Sequence, residues 1–291
     1  MKKILFPILA MALIVSCSKE KTEPTPTPDP TPDPVVVDTI PVSTQPAKRV
    51  AVIEEYTGIN CGYCPDGHRI VNELIAQYPG KVFGVNIHQG GYASNTYTTT
   101  EGNAYAGEAS ISGYPAGCIN RHVFAGSTMA LGRGAFANMT NQIMGKDSPV
   151  NINATAEIEQ ATRTLKVKVR GYFTAAQTVS SNSLYVFLLQ DSVMGSQSDY
   201  GSPSYNPDQW VGDQYRHMHM LRTCISGTWG ETVSPLTAGT YFQKEYTYTI
   251  PEKIGSPKAI DAVLKDLKVL VFIAEGHKEI LTACEPTMVL K

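Results

Sequence analysis

The stretch that decides the fold runs Val50-Ala-Val-Ile-Glu-Glu-Tyr-Thr-Gly-Ile-Asn60, then Cys61-Gly-Tyr-Cys64, then Pro65-Asp-Gly-His-Arg-Ile-Val-Asn-Glu-Leu-Ile-Ala-Gln-Tyr78. Its first part is a buried-type strand, and in its last part Ile70, Val71, Leu74, Ile75 and Tyr78 recur at helical spacing. Two cysteines stand where the strand hands over to the helix. On a first helical turn such a pair lies on one face, close enough to close a small disulfide ring. Asn60 is suited to cap that helix, which sets Cys61 at the positive end of the helix dipole and favours its thiolate. Cys61 is then the attacking sulfur and Cys64 the resolving one. Pro65 removes the N–H that would bond the Cys61 carbonyl, so the first turn is expected to be kinked or loosened behind the pair.

Other chemistries for the pair fit less well. A structural zinc needs four ligands, and no second Cys-x-x-Cys or His-x3-His partner is present; covalent haem attachment needs His after the second cysteine, where this chain has Pro65. His68 lies on the same helix face as Cys64. It stands either as a third ligand of a small metal site or as a partly exposed surface histidine. No cofactor and no metal are expected.

Working outward, Lys81-Val-Phe-Gly-Val-Asn-Ile-His88 forms a second strand, parallel to the first by the right-handed crossover rule. The polar stretch Gln89 to Gly102 then projects from the same sheet edge as Cys61. A short helix around Asn103 to Ser110, Ser112-Gly-Tyr-Pro115, a strand from Ala116 to Phe124 and a helix around Arg133 to Met144 follow. Near Ser148-Pro149 the pattern changes character. From about Val150 the chain alternates like an antiparallel sandwich: Leu165, Val167 and Val169 share one face, Leu184 to Gln190 and Lys268 to Glu275 are continuous apolar runs, and Tyr241 to Ile250 and Ile280 to Leu290 add strands. Seven strands in about 140 residues fit an immunoglobulin-like topology. Met194 to Gly212 is a long loop with Tyr200, Tyr205 and Trp210 among Ser, Gly, Asn and Pro. It either binds a protein or glycan partner or packs over the sandwich end or the neighbouring domain.

At the other end, Met-Lys-Lys and the apolar run Ile4 to Val15 read as a secretion signal too short to span a membrane, and Cys17 falls where a lipoprotein would be cleaved and lipidated. The alternative is an ordinary cleaved signal. Six prolines alternate with Thr and Asp from Pro24 to Pro34, so 18–46 reads as an extended spacer between 1–17 and the folded part. A lipid-anchored protein outside the cytoplasm sits where disulfides persist. The net charge of −2 and 42% hydrophobic content are those of an ordinary globular chain and give no sign of nucleic-acid binding.

Strand, Cys-x-x-Cys at a helix start, strand, helix, Pro-preceded strand and terminal helix, in this order, resemble the thioredoxin fold over roughly residues 48 to 146. The resemblance implies that Pro115 is cis and packs against the redox pair, and that Glu55 is a buried, proton-relaying acid. The Cys-Gly-Tyr-Cys spelling is similar to that of periplasmic disulfide isomerases, although Asn60 replaces the aromatic usual before the first cysteine. The whole chain is similar to the Omp twenty-eight family of outer-membrane lipoproteins, through Glu54-Glu55-Tyr-Thr-Gly, Cys61-Gly-Tyr-Cys-Pro65, Gly113-Tyr-Pro-Ala-Gly-Cys-Ile-Asn-Arg121 and Tyr215-Arg-His-Met-His-Met-Leu-Arg222. That resemblance implies outer-membrane, lipid-anchored placement, facing the periplasm or the cell surface, and adhesion or receptor roles have been suggested for the family.

The expected architecture is therefore an α/β thioredoxin-like domain at 47–147 followed by an all-β immunoglobulin-like sandwich at 148–291. Two functions are expected to compete. In thiol-disulfide exchange, as an oxidoreductase or isomerase, Cys61 attacks the disulfide of a protein or envelope redox partner, Cys64 resolves it, Glu55 moves the proton and Pro115 orients the peptide. In the alternative, a surface or periplasmic binding lipoprotein uses the thioredoxin-like domain as a scaffold and loop Met194 to Gly212 as its contact. The depth of the Cys61 sulfur discriminates them: an exposed thiol supports exchange, a covered one supports the scaffold. His217 and His219 have the spacing of a metal pair on one strand face, or of hydrogen-bonded structural residues. Cys118 reads as an inert core thiol, and Cys224 and Cys284 could pair across the sandwich. Asp38-Thr-Ile and Asp191-Ser-Val resemble a short O-glycosylation signal.

Overall fold

The computed structural model describes residues 40–234 and 236–291. Cys17, the apolar run before it, Asp38 and most of the Pro/Thr-rich stretch lie outside the described residues. The decisive stretch forms strand β1 (Ala51–Thr57), buried along its whole length, and helix α1 (Cys64–Gln77). Strand β2 (Val82–His88) returns parallel to β1, pairing Ala51 with Val82 through Thr57 with His88. After helix α2 (Thr100–Glu108), strand β3 (Ala116–Ile119) lies antiparallel to β1 on its other side and β4 (Leu131–Gly132) pairs with β3. Helix α3 (Phe136–Met144) closes this part. The α1 and α3 side chains Val71, Leu74, Phe136 and Ile143 pack on Ala51, Ile53, Val82 and Ile119 of the sheet.

The later strands are β5 (Val150–Glu159), β6 (Thr164–Phe173), β7 (Asn182–Gln190), β8 (Gln214–His217), β9 (Met220–Cys224), β10 (Tyr241–Thr249), β11 (Leu267–Ala274), β12 (Ile280–Cys284) and β13 (Met288–Leu290). Strands β10, β6, β5 and β13 form a four-stranded sheet. Strands β12, β11, β7 and β9 do not pair with it. They continue the first sheet, giving the order β12-β11-β7-β9-β2-β1-β3-β4 within one nine-stranded sheet. The joint is parallel: Met220 of β9 sits opposite Asn86 of β2, and the Asn86 N–H donates to the His219 carbonyl at 2.8 Å.

Residues on the two sides of 147/148 thus share a sheet. The continuous apolar runs explain why. In β7, Leu184, Val186 and Leu188 face the four-stranded sheet, whereas Tyr185, Phe187 and Leu189 face Tyr56, Tyr105 and Ala106 from the first half. A strand covered on both sides must be apolar at every position. In that second layer Arg121 makes a bidentate pair with Glu54, at 2.7 and 2.6 Å, fully enclosed by protein. Its guanidinium also lies 4.9 Å from the ring centres of both Tyr105 and Tyr185.

Candidate functional site

Cys61 and Cys64 are joined as a disulfide, with Cα atoms 5.4 Å apart. The helix starts later than Asn60 would have it. Cys64 is its first residue, Tyr63 precedes it without a side-chain cap, and Pro65 occupies the first turn. There the missing N–H has no intrahelical partner to lose, so Pro65 fits the start of the helix. Asn60 instead holds the turn from outside: its N–H donates to the Tyr92 carbonyl at 2.9 Å and its amide to Ser94 Oγ at 2.5 Å. Cys61 belongs to the approach to the helix, its N–H bonded to the Gly58 carbonyl at 3.0 Å and its carbonyl accepting from Cys64 at 3.2 Å.

One turn beyond Cys64 on the same face, Gly67 is the point on which Glu55 and Pro115 converge. A Cβ at Gly67 would overlap the Glu55 carboxyl and stand 3.1 Å from Pro115 Cβ. Both Glu55 oxygens are buried without a hydrogen-bond partner. Burial pushes this carboxyl well above its usual range, the Asp66 carboxylate adds to the rise, and Arg133 opposes it. Asp66 itself is held below its usual range: burial alone would raise it, but Arg133 and Arg69 donate to it at 2.6 and 2.8 Å and outweigh that. The Tyr114–Pro115 peptide is cis. Asp66, Ile70, Pro115 and Arg133 line an open groove of about 620 Å³ on this side of the helix.

The sulfurs are covered, at 3% exposure for Cys61 and 0% for Cys64. The first half of the aromatic loop lies on the disulfide turn. Met194 to Gly212 is not one free loop, because Val193–Gly195 and Trp210–Val211 pair with β8. Between them, Ser198 N–H donates to the Ile59 carbonyl at 2.7 Å and Tyr200 N–H to the Gly62 carbonyl at 2.9 Å. The Gln197 amide donates to the carbonyls of Cys61 and Gly58 at 3.0 and 3.3 Å. The Tyr200 ring lies on Gly62, where any side chain would collide with it, and meets Tyr63 edge-on at 5.4 Å.

The family model described as Outer membrane protein Omp28 matches residues 102–278, more than half of the chain. The chain belongs to this family. Among solved structures it is similar to HBP35 of Porphyromonas gingivalis, at 19% identity and a TM-score of 0.62, over 83% of this chain and 76% of that one. It also matches a protein of Agrobacterium tumefaciens at 10% identity and a TM-score of 0.48, over 82% of this chain and 95% of that one. A domain of the outer membrane lipoprotein Omp28 from P. gingivalis matches at 18% identity and a TM-score of 0.31, over 50% of this chain and 91% of that one. No curated protein sequence matches. Among the described residues no helix of this Omp28-family chain is long and apolar enough to cross a membrane.

Behind the disulfide this Omp28-family chain buries three histidines from separate elements. His68 of α1 bonds Thr57 Oγ1 and the Tyr215 hydroxyl, each at 2.9 Å, and Asn206 of the covering loop donates to the same hydroxyl at 2.9 Å. Both His68 nitrogens are thus engaged, and the residue is buried, so it is neither a surface histidine nor a ligand beside Cys64. Burial, reinforced by His217 and His219, lowers its pKa to about 3. His88 and His217 have ring centres 5.1 Å apart, with both nitrogens of the first and Nδ1 of the second unpartnered. Burial lowers His217 to about 4 and His88 well below its usual value. His217 and His219 do not act as a pair: β8 ends at His217, and His219, with φ of 53°, leaves the strand alternation and turns to Asp191. Among the described residues no group of three ligand side chains is set to hold a metal.

Cys118, Cys224 and Cys284 are free. Cys224 packs with the Tyr105 layer and Cys284 against the four-stranded sheet, on opposite faces, so the two do not pair. Sequence reasoning missed Gln197, His88 and Arg121. Arg121 closes the quoted Gly113–Arg121 run, but nothing local pairs it with Glu54; Gln197 and His88 carry no signal of their own.

Proposed function

We propose that this outer-membrane-family protein is a lipid-anchored thiol-disulfide exchange protein of thioredoxin-like build, working on protein thiols and disulfides through Cys61 and Cys64. The observation that carries the reading is the convergence on Gly67 of Glu55, a buried acid with no partner, and Pro115, one helical turn from Cys64. A carboxyl held protonated by burial is a proton store for a neighbouring sulfur. In the reduced protein the Cys61 thiolate attacks a substrate sulfur and forms a mixed disulfide while the substrate's other sulfur leaves as thiolate. Glu55, having given its proton to that leaving thiolate, takes the proton of Cys64, which attacks Cys61, releases the second substrate sulfur as thiolate and restores the Cys61–Cys64 bond. The β1-α1-β2 unit with β3 antiparallel to β1 supports the thioredoxin-like comparison. Cys17 is the residue to carry the lipid.

The buried sulfurs favour a second reading, in which the pair is a structural staple and the molecule a binding scaffold. The reduction potential separates the two. An exchange pair falls in the range of roughly −270 to −120 mV and a structural disulfide lies below about −300 mV. Pre-reduced protein is then tested for reduction of a protein disulfide substrate, with Cys61→Ser as control; equal rates for the two would remove the exchange reading.

A further inference from the structure

The carbonyls of Ile59 and Gly62 accept from the Ser198 and Tyr200 N–H groups, and those of Gly58 and Cys61, each already bonded within the turn, also accept from the Gln197 amide of the same segment. The two backbone donations, from residues 198 and 200, follow the spacing of alternate residues in an extended strand. This segment is foreign to the turn in chain order, and the turn needs no sheet partner of its own there. It is also a self-supporting piece. The Asp199 carboxylate accepts from the Gly201 N–H at 2.8 Å, the Ser204 hydroxyl at 2.6 Å and the Tyr205 N–H at 3.2 Å, so the bend from 199 to 205 is held by its own bonds. Its anchor on the turn is shallow. Tyr200 rests its ring on Gly62 yet remains 65% exposed, and Tyr63 beside it is 47% exposed.

We propose that the turn Gly58–Gly62 is a polypeptide-binding edge whose resident occupant, residues 196–206, is exchangeable, and that its ligand is an extended peptide segment presenting an aromatic ring to Gly62. The inference deepens the exchange reading and rests on it for its biological sense. With the strap displaced, the Ile59 and Gly62 carbonyls need donors, and alternate N–H groups of an extended backbone supply them. Gly62 is the specificity position: it has no Cβ, so a flat ring can lie against its backbone, whereas Gly58 is closed off by the Tyr92–Ala93 backbone. The strap displays what the site recognises, and it competes with any incoming chain for the approach to Cys61.

The test follows reduction of Cys61–Cys64 in the full chain by dithiothreitol, trapped by alkylation. The dithiol's thiolate attacks one sulfur and opens the S–S bond. Its second thiol then displaces the protein sulfur, leaving a cyclic disulfide and delivering two electrons and two protons to the two cysteine thiols. Tyr200→Ala removes an exposed ring and no core contact, and weakens strap closure by about one aromatic contact, so the reduction rate should rise about tenfold. Gln197→Ala should act in the same direction. A free peptide of residues 196–206, in millimolar excess, should slow Tyr200→Ala back toward the wild-type rate, and the same peptide with Tyr200→Ala should not. Wild-type rates in both variants would overturn the proposal, as would faster reduction that neither peptide slows. Failure of the exchange reading is seen separately, when reduced Tyr200→Ala protein does not reduce a protein disulfide although the strap results hold.

Discussion

Glu55→Gln is the substitution whose effect follows most directly from the site. The carboxyl is enclosed on β1, both oxygens lack partners, and Gly67 and Pro115 close over it. Burial, then the Asp66 carboxylate, raises its pKa against the opposing Arg133, from an ordinary 4.5. Between those two values the folded chain keeps a proton that the unfolded chain has released. Stability therefore falls as pH rises through this window, by about 1.4 kcal/mol per pH unit. Glutamine has the shape of the protonated acid and does not titrate. The variant should match the wild type near pH 4.5 and become the more stable of the two above it, the gap widening by about 1.4 kcal/mol per unit until the folded carboxyl ionises and level thereafter. Urea unfolding of the oxidised proteins at half-unit steps from pH 4.5 to 8 reads this directly, and taking the difference between the two proteins cancels the histidine titrations. A gap that stays constant over the series would refute the claim that Glu55 is buried uncharged.

The histidines act with the opposite sign. His68, His88 and His217 are kept neutral by burial, so the unfolded chain takes up protons below about pH 6.5 that the folded chain refuses. Stability is complete above that pH and is lost as pH falls toward 4, by up to about 1.4 kcal/mol per unit for each group; His217→Gln should flatten the decline in a thermal-melt series, and an unchanged slope would count against it. Arg121→Met strands Glu54 in the interior and should cost about 3–5 kcal/mol in denaturant unfolding. The double change with Glu54→Leu should recover much of that, and a single variant within 1 kcal/mol of the wild type would contradict the buried pair. Alkylation of the denatured, unreduced chain should label Cys118, Cys224 and Cys284 but neither Cys61 nor Cys64. A crosslinked peptide joining 224 to 284 would overturn their placement on opposite faces.

The β1-α1-β2 unit was legible because its signals are local: an apolar strand, a helical stripe from Ile70 to Leu74, and a return strand within crossover reach. Glu55 and Pro115 were found through resemblance, since neither a strand acid nor a lone proline announces burial beside a cysteine pair. Asn60 misled because cap preference is weaker than the pull of a proline, which fits only the first turn and so fixed the helix start at Cys64. The apolar runs of β7 and β11 gave central strands correctly but not the sheet they join, for periodicity reports that both faces are covered and not by what. The strap was out of reach altogether: Gln197 and Cys61 are 136 residues apart, and a loop rich in Tyr, Ser and Gly reads the same whether it meets a partner or its own chain.

The single parallel bridge between Met220 and Asn86 carries a practical meaning for anyone dissecting the molecule. Cutting near residue 147 would leave Val82–His88 without its outer neighbour, baring backbone groups on a mostly apolar strand. Fragments made this way should self-associate along that exposed margin.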